Sequence, residues 1–233
     1  MLVKQGLCTF VVYYKTNYMK VELLSHFGDD LMVVNAARVS FGKSKEEFDN
    51  KDAKLIKYLY DHKHTSVFRH PQLQFRITCP IYVERQMFKH QIGMSANSIS
   101  GRYVDFSDSY TKIETWREQS KSSKQGSAND LNLDTQVLCN EIQDEVIDFC
   151  KNSYENLLAL GVSKEQARTI LPLNLNTTYI WTGSLLSFVH LFNLRLKDDA
   201  QKETRIVADL MLQDIKRIKG NPFCHSLAAF GLS

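Results

Sequence analysis

One strictly alternating segment constrains the fold of this chain more than any other feature. In QLQFRITC, residues 72–79, every second residue from Leu73 to Cys79 is apolar and lies on one side of an extended backbone. This alternation is typical of a strand with one face against a core, so it predicts a sheet that helices cover. Pro80 suits the first turn of a helix that we expect to run to about His90.

The other periodic segments predict one more strand, at 20–24, and a series of helices. The predicted helices are 29–40, one with Asn50 as its N-cap, a long one that ends before Gly161, one that opens at Ser163 and carries Arg168, 184–195 and 198–219. The polar stretch SKSSKQGSAND predicts a mobile loop at 118–132. The sum is an α+β fold in one domain, 1–233: an antiparallel sheet flanked by helices, with a helical C-terminal half.

Composition excludes several classes of protein. No apolar run approaches the roughly 20 residues that span a bilayer, and the start of the chain lacks the pattern of a signal peptide, so we expect a cytoplasmic protein with no membrane partner. The 5 cysteines are scattered without CxxC spacing, which favours neither disulfides nor a metal site. A net charge of +3 suits a small anionic ligand but not duplex DNA, so no nucleic-acid partner is expected.

The stretch KHQIGMSANSISGRY, residues 89–103, is a candidate pocket for an anion. Ser100 offers a hydroxyl, Gly101 allows close approach of the backbone, and Arg102 offers a guanidinium fork, which together suit a nucleotide phosphate. An ordinary surface turn is the alternative interpretation. The glycine-rich phosphate loops GxGxxG and GxxxxGK[ST] are absent from the sequence.

Two further arginines stand in apolar surroundings, Arg168 within ARTILPL and Arg195 within FNLRL. A cation among apolar neighbours needs a carboxylate partner or an anionic ligand, and the sequence leaves both possibilities open. The histidines of HKHTSVFRH, together with Glu84, match no compact metal-ligand spacing. Cys224 beside His225 is consistent with a nucleophile and its base or with core packing.

From about Val21 to Phe230 the chain resembles the flavin-dependent thymidylate synthases. The matching segments are VELLSHFGDDLMVVNAARVSF, LIKYLYDHKHTSVFRH, PIYVERQMFKHQ, SGRY, GVSKEQARTILPLNL and LFNLRLKDDAQKE. The resemblance implies a homotetramer of α/β subunits with active sites at subunit interfaces. It also implies transfer of a one-carbon unit from 5,10-methylenetetrahydrofolate to C5 of deoxyuridine monophosphate (dUMP). FAD would carry the hydride, NADPH is one candidate reductant, and no cysteine nucleophile is needed.

The resemblance also assigns roles to individual residues. The nucleotide would be bound by Gln86, Lys89, Ser100, Gly101, Arg102, Arg168 and Arg195. The flavin would be bound by Ser40, His64, Ser66, His90, Gln91, Ile92 and Leu194. The catalytic residues would be Arg195, which polarises the base, Ser100 and His64.

Departures from the family pattern fall mainly on the flavin side. Lys89-His90-Gln91 stands where the family has Arg-His-Arg, and Ser98 stands where it has glutamate. Lysine keeps the charge of arginine but not its fork. Thymidylate synthesis from dUMP remains the first prediction. Two alternatives stay open: 5-hydroxymethylation of dUMP or of deoxycytidine monophosphate (dCMP), which needs no net reductant, and a non-catalytic nucleotide-binding oligomer.

Overall fold

A computed structural model describes residues 19–105, 109–121 and 126–233. Its strands are β1 (Lys20–Phe27), β2 (Gln72–Pro80), β3 (Met94–Ser98), β4 (Arg117–Gln119), β5 (Ser127–Asp130) and β6 (Asn176–Ser184). Its helices are α1 (Asp30–Arg38), α2 (Asn50–Asp61), α3 (Ile81–Met87), α4 (Leu133–Ala159), α5 (Lys164–Ala167), α6 (Leu185–Arg195), α7 (Lys202–Lys216) and α8 (Cys224–Ala229). Among these helices none is both long enough and apolar enough to cross a membrane.

Four strands form one antiparallel sheet in the order β1-β2-β6-β3. The two central strands, β2 and β6, pair over their full length, from Gln72 opposite Ser184 to Pro80 opposite Asn176. β4 and β5 form a separate two-stranded sheet. The predicted class, an antiparallel sheet with flanking helices, is therefore confirmed.

The apolar face of the sheet carries the core. All four apolar residues of the alternating segment in β2 are buried, as predicted. Opposite them on β6 lie Tyr179 and Trp181, both almost fully buried. The centre of the Phe88 ring, after α3, lies 5.9 Å from that of Trp181, and the centre of the Phe188 ring, in α6, lies 5.8 Å from it. α3 and α6 therefore cover the same face.

The opposite face of the sheet is polar, and its side chains pair across strands. The Arg76 guanidinium on β2 donates to the Glu22 carboxylate on β1 at 2.8 Å. Thr78 and Thr178 share a hydroxyl hydrogen bond of 2.8 Å between β2 and β6. Cross-strand pairs of this kind stabilise a sheet by a few tenths of a kcal/mol up to about 1 kcal/mol each. They also fix the register that the apolar face requires.

The direction of the central strands decides where the helices end. β2 runs directly into α3, and β6 runs directly into α6 from the opposite end of the sheet because the two strands are antiparallel. Both helices turn back over the apolar face. Their C-terminal ends meet, and Arg195 at the end of α6 contacts Gln86 in the last turn of α3.

A buried ion cluster connects α1 to α2. The Asp52 carboxylate is fully buried and accepts hydrogen bonds from Arg38 and from Lys45, the latter at 2.6 Å. Asp52 also closes a reciprocal capping box with Asp49 at the start of α2. Burial alone would raise the pKa of Asp52, but the hydrogen bonds from Lys45 and Arg38 outweigh it and lower that pKa to about 2.

The structure differs from the sequence predictions at several boundaries. Asp49, not Asn50, is the N-cap of α2, and α3 ends at Met87 instead of about His90. The segment predicted as a mobile loop at 118–132 contains most of the β4–β5 hairpin, and its residues 122–125 lie outside the described residues. β3, β6 and α8 were not predicted. The single-domain organisation stays a prediction.

We predict that Asp52→Asn lowers the free energy of unfolding by about 3–5 kcal/mol at neutral pH, because Arg38 would lose its carboxylate partner in a largely buried site and Lys45 would keep only Asp49. Because the folded pKa of Asp52 lies below its ordinary 3.8, its stabilisation is present above pH 3.8 and is lost as the pH falls through about 2. Urea unfolding at several pH values measures both effects.

The matched control is Asp61→Asn in the same helix, which breaks the exposed pair with Lys57. An exposed pair of this kind contributes about 0–1 kcal/mol, so this variant should unfold almost like the wild type. Equal losses in the two variants would show that burial of the Asp52 cluster has no special weight.

Candidate active site

A cavity of about 590 Å³ opens between α3, the end of β3 and the segment 168–177. Its lining combines one carboxylate, two guanidinium groups, hydroxyl and amide groups and an apolar wall. The polar part is formed by Glu84, Arg85, Ser98, Arg168, Asn176 and Thr177, and the apolar wall includes Phe88, Ile99, Leu171 and Leu173. Such a lining fits a flat, partly apolar ring that carries an anionic group. Gly101 and Arg168 of the predicted nucleotide set lie here.

The predicted phosphate triplet Ser100-Gly101-Arg102 forms a tight turn directly after β3. The amide of Val104 donates to the Ser100 carbonyl at 3.1 Å, and both the Arg102 amide and its Nε donate to Ser100 Oγ, at 3.3 and 3.2 Å. The Arg102 guanidinium is exposed and lies 5.0 Å from the centre of the Tyr103 ring. The turn therefore presents a hydroxyl and a guanidinium side by side.

Arg168 differs from the sequence expectation in its surroundings. It lies in a short 3-10 turn after α5 and is exposed, instead of being enclosed by the apolar residues beside it in sequence. Its Nε donates to the Glu165 carbonyl at 3.2 Å. In the part of the chain that the structure describes, Arg168 forms no salt bridge. Its remaining N–H groups are thus available to an anionic ligand in the cavity.

Arg195, Gln86 and His90 form a second group at the meeting point of α3 and α6. Arg195 Nη2 donates to the Gln86 carbonyl at 2.9 Å, and Arg195 Nε donates to His90 Nε2 at 3.0 Å. The Gln86 side chain is held by Gln201 and by Thr204, whose hydroxyl donates to Gln86 Oε1 at 3.3 Å. These three residues do not line the 590 Å³ cavity.

Electrostatics of this second group favour a neutral histidine beside a cation. Burial, the positive charge of Arg195 and the nearby His190 lower the pKa of His90 from its ordinary 6.5. Burial also lowers the pKa of Arg195. Arg195 has no carboxylate partner among the described residues, so the charge of a half-buried guanidinium is left for a ligand to balance.

The side chains predicted to bind flavin lie mostly on the surface. Ser40, His64, Ser66, Gln91 and Ile92 are exposed, and the last of these has 91% of its surface accessible. Leu194 is half-exposed, and Lys89 of the nucleotide set is exposed. Hydroxyl, amide and apolar groups of this kind fit the polar chain and the flat ring of a flavin. Lys89 is the cation of the altered Lys-His-Gln motif.

One cluster of possible metal ligands occurs among the described residues: Asp30, Cys224 and His225 have ligand atoms within 4.8 Å of one another. The Asp30 carboxylate already accepts the amide of His225 at 2.7 Å and that of Ser226 at 3.1 Å, so it caps the start of α8. Burial, followed by the charge of Asp30, raises the pKa of the Cys224 thiol. The cluster is accounted for as a structural connection between α1 and α8.

Sequence reasoning missed the pairing of Glu84 with Ser98 in the cavity. The Ser98 hydroxyl donates to Glu84 Oε1 at 2.8 Å, and burial raises the pKa of Glu84. Ser98 stands where the resembled family has glutamate, so the carboxylate here comes from α3 instead of β3. The serine at position 98, in place of the glutamate of the resembled family, was the signal that the sequence offered. The contact itself depends on the pairing of β3 with β6, which brings the Ser98 and Glu84 side chains together.

Comparison with known proteins agrees with these observations. The family model described as "Thymidylate synthase complementing protein" matches residues 22–219, a range that contains every predicted site residue. A flavin-dependent thymidylate synthase from Thermus thermophilus is 39% identical over 198 residues, which cover 84% of this chain and 71% of that protein. One from Kosmotoga olearia is 38% identical over 185 residues, with 78% and 79% of the two chains covered.

The chain belongs to the flavin-dependent thymidylate synthase family.

Solved structures support the fold of this family member. The UMP/dUMP methylase PolB from Streptomyces cacaoi, bound with 5-Br dUMP, superposes with a TM-score of 0.81 at 24% identity, covering 91% of this chain and 94% of that chain. The same protein with 5-Br UMP gives 0.80 at 23% identity. The fold predicted from the resemblance is confirmed. The roles of individual site residues stay predictions.

We predict that Arg168→Ala weakens dUMP binding by about tenfold or more, since a charge-assisted contact contributes about 1.5–3 kcal/mol and 1.4 kcal/mol corresponds to a factor of ten. Isothermal titration calorimetry measures the change. Arg76→Ala removes an arginine from the polar face of the sheet, outside the cavity, and should leave the affinity unchanged. If both variants bind dUMP equally well, Arg168 is not part of the nucleotide site.

Proposed function

We propose that this protein transfers the one-carbon unit of 5,10-methylenetetrahydrofolate to C5 of dUMP and makes thymidylate, with FAD as hydride carrier. The expectation of thymidylate synthase chemistry is confirmed at the level of the family. The structural observation that supports it most is Arg195, a half-buried cation without a carboxylate partner among the described residues. NADPH is the reductant that we propose for the flavin.

The nucleotide would be held at two ends. Ser100, Gly101, Arg102, Arg168 and Lys89 supply hydroxyl, backbone and cationic donors that suit the phosphate. The base would lie against Gln86 and Arg195. A fixed guanidinium beside the ring would polarise the base by stabilising negative charge on a carbonyl oxygen of uracil. Arg195 is suited to this task because its position is set by two hydrogen bonds.

The flavin would be held by Ser40, His64, Ser66, His90, Gln91, Ile92 and Leu194. A reduced flavin, when bound, supplies the hydride that converts the transferred methylene group to a methyl group. His64 is exposed at the start of a short 3-10 turn and is available to a ligand ring. The exposed apolar side chains of Ile92 and Leu194 offer surface that would exclude water from such a ring.

A homotetramer with shared active sites is part of this proposal. Within one subunit the cavity with Arg168 is separate from the group formed by Arg195, Gln86 and His90. In addition, α4 carries a row of large apolar side chains whose accessible fractions lie between 48% and 83%. The row is formed by Leu133, Val137, Leu138, Ile142, Val146 and Phe149. A contiguous exposed apolar row favours burial against another subunit. A cytoplasmic location and the absence of nucleic-acid partners stay predictions from composition.

One observation favours a second candidate, 5-hydroxymethylation of dUMP or dCMP. On the altered motif, Lys89 and Gln91 are exposed and form no side-chain hydrogen bond among the described residues, and neither side chain offers the guanidinium fork that the resemblance places there. If flavin binding is weak, water can add to the methylene intermediate in place of a hydride. The product then keeps the oxygen of water and no reductant is consumed.

Turnover with dUMP or dCMP and methylenetetrahydrofolate, in the presence and absence of FAD and NADPH, distinguishes the candidates. We expect mass spectrometry to find a methylated dUMP whose formation requires both FAD and NADPH. A product that is heavier by one oxygen atom and forms without reductant supports the hydroxymethylase. A protein that binds dUMP but yields neither product is a nucleotide-binding oligomer, and the enzymatic proposal is then wrong.

We predict that the double variant Lys89→Arg, Gln91→Arg binds FAD more tightly than the wild type. The dUMP affinity should change little, because Lys89 already supplies the positive charge that suits the nucleotide phosphate and arginine keeps that charge. Each restored fork offers the flavin phosphates a bidentate contact of about 1.5–3 kcal/mol, so the gain should exceed tenfold. Flavin fluorescence titration measures it. Lys43→Arg, an exposed substitution in the loop after α1, is the control. An equal gain for both ligands would contradict the assignment of this motif to the flavin side.

A further inference from the structure

His90 connects the nucleotide side of the site to the altered Lys-His-Gln motif. Its Nε2 accepts the Nε–H of Arg195 at 3.0 Å, and the same guanidinium donates through Nη2 to the Gln86 carbonyl at 2.9 Å. That carbonyl is one of the last of α3, where helix carbonyls lack partners within the helix. Arg195 is thus fixed at two points, by the last turn of α3 and by the segment just after it.

The two contacts determine which way the guanidinium faces. Of its five N–H donors, Nε–H and one Nη2–H are used, so the remaining donors form the edge that is free to meet a ligand. If the His90 contact is lost, Arg195 keeps a single anchor and can rotate about it. The positive charge of Arg195 would remain, but its guanidinium would no longer face one fixed direction.

We propose that His90 is a positioning residue that orients Arg195 toward the pyrimidine, in addition to its expected place beside the flavin. The inference rests on the proposed function, because it assumes that Arg195 contacts the base. It assigns a nucleotide-side role to a residue that the resemblance places on the cofactor side.

The contact requires one protonation state of His90. Nε2 accepts a hydrogen bond only when it carries no proton, so the ring must be neutral with its proton on Nδ1. The charged or titratable groups that act on the ring are Arg195 and His190, both on α6, and neighbouring Lys89 is exposed. Both α6 groups disfavour a second proton. Protonation as the pH falls below 6.5 therefore removes the acceptor and adds a charge that repels Arg195.

Substitutions at His90 distinguish the loss of the hydrogen-bond acceptor from the effect of protonating the imidazole. His90→Gln keeps an acceptor oxygen that does not titrate, and it should bind dUMP like the wild type at about pH 8. His90→Leu removes the acceptor and should bind roughly fivefold more weakly, the effect of one ordinary hydrogen bond. His26→Leu, an exposed histidine on the edge strand β1, is the control and should bind like the wild type.

The pH profile is read as the ratio of wild-type to His90→Gln affinity. The phosphate of the nucleotide also titrates near pH 6, and the ratio cancels that contribution because both proteins bind the same nucleotide. We expect a ratio near one at about pH 8 that decreases, by up to roughly fivefold, once the pH falls below the lowered pKa of His90. A ratio that does not change with pH contradicts the proposal.

A double-mutant cycle tests whether His90 acts through Arg195. If it does, His90→Leu has little further effect on dUMP affinity once Arg195 is alanine, so the two losses are not additive. Fully additive losses would mean that His90 contacts the nucleotide independently or only supports the fold, and the positioning role would be wrong.

A measurement made without nucleotide tests the contact between His90 and Arg195 independently of the proposed function. Nitrogen-15 chemical shifts of the imidazole should identify a neutral ring protonated on Nδ1 in the wild type and a mixture of tautomers in Arg195→Ala. Failure of this signature overturns the positioning role even if dUMP binds. If the signature is present but dUMP does not bind, the proposed function fails, and with it the role for His90 in nucleotide binding.

Discussion

The antiparallel pairing of β2 with β6 is the constraint on which the rest of the structure depends. It places the start of α3 and the start of α6 at opposite ends of the same sheet. Both helices must then return over the one apolar face, where Phe88 and Phe188 both pack against Trp181. The site at their C-terminal ends is a consequence of strand direction.

Three buried carboxylates add specific polar contacts between the elements outside the sheet, in addition to the apolar core that α1, α2, α7 and α8 share. Asp52 connects α2 to Arg38 at the end of α1, Asp30 in α1 caps α8, and Glu203 in α7 accepts a hydrogen bond from Arg117 of β4 at 2.7 Å. Each buried charge is matched by donors from another element, which offsets the cost of its burial. These contacts specify which elements meet and therefore preserve the geometry around α3 and α6.

The sequence predicted those elements in which the pattern of apolar and polar residues reflects which side chains are buried. β2 alternates because one of its faces is buried, and α6 is a long apolar run that ends at Arg195, so both were found. β6 is rich in β-branched and aromatic residues, in NTTYIWTGS, and its signal was present but was not used. β3 has no such signal. MSANS is polar and largely exposed, and it is a strand because β6 offers it an edge.

The sequence offered individual candidate residues for the site but not their arrangement. Family resemblance selected Arg168 and Arg195, yet nothing in their local sequence indicates that one lines a cavity beside Glu84 while the other closes the end of α3. Nor does the sequence reveal that Arg195 contacts His90, which is 105 residues away in the chain. Such contacts depend on the register of the central strands, which local patterns do not report.

The two ligand sides of the site differ in how strongly the fold holds their residues. Arg195 is tied to a backbone carbonyl and an imidazole, so a change there disturbs the packing of two helices. Lys89 and Gln91 are exposed and contribute no side-chain hydrogen bond among the described residues. Substitution at such positions changes stability by only a few tenths of a kcal/mol. We therefore expect residues 89 and 91 to vary without loss of the fold, because the fold itself constrains neither side chain.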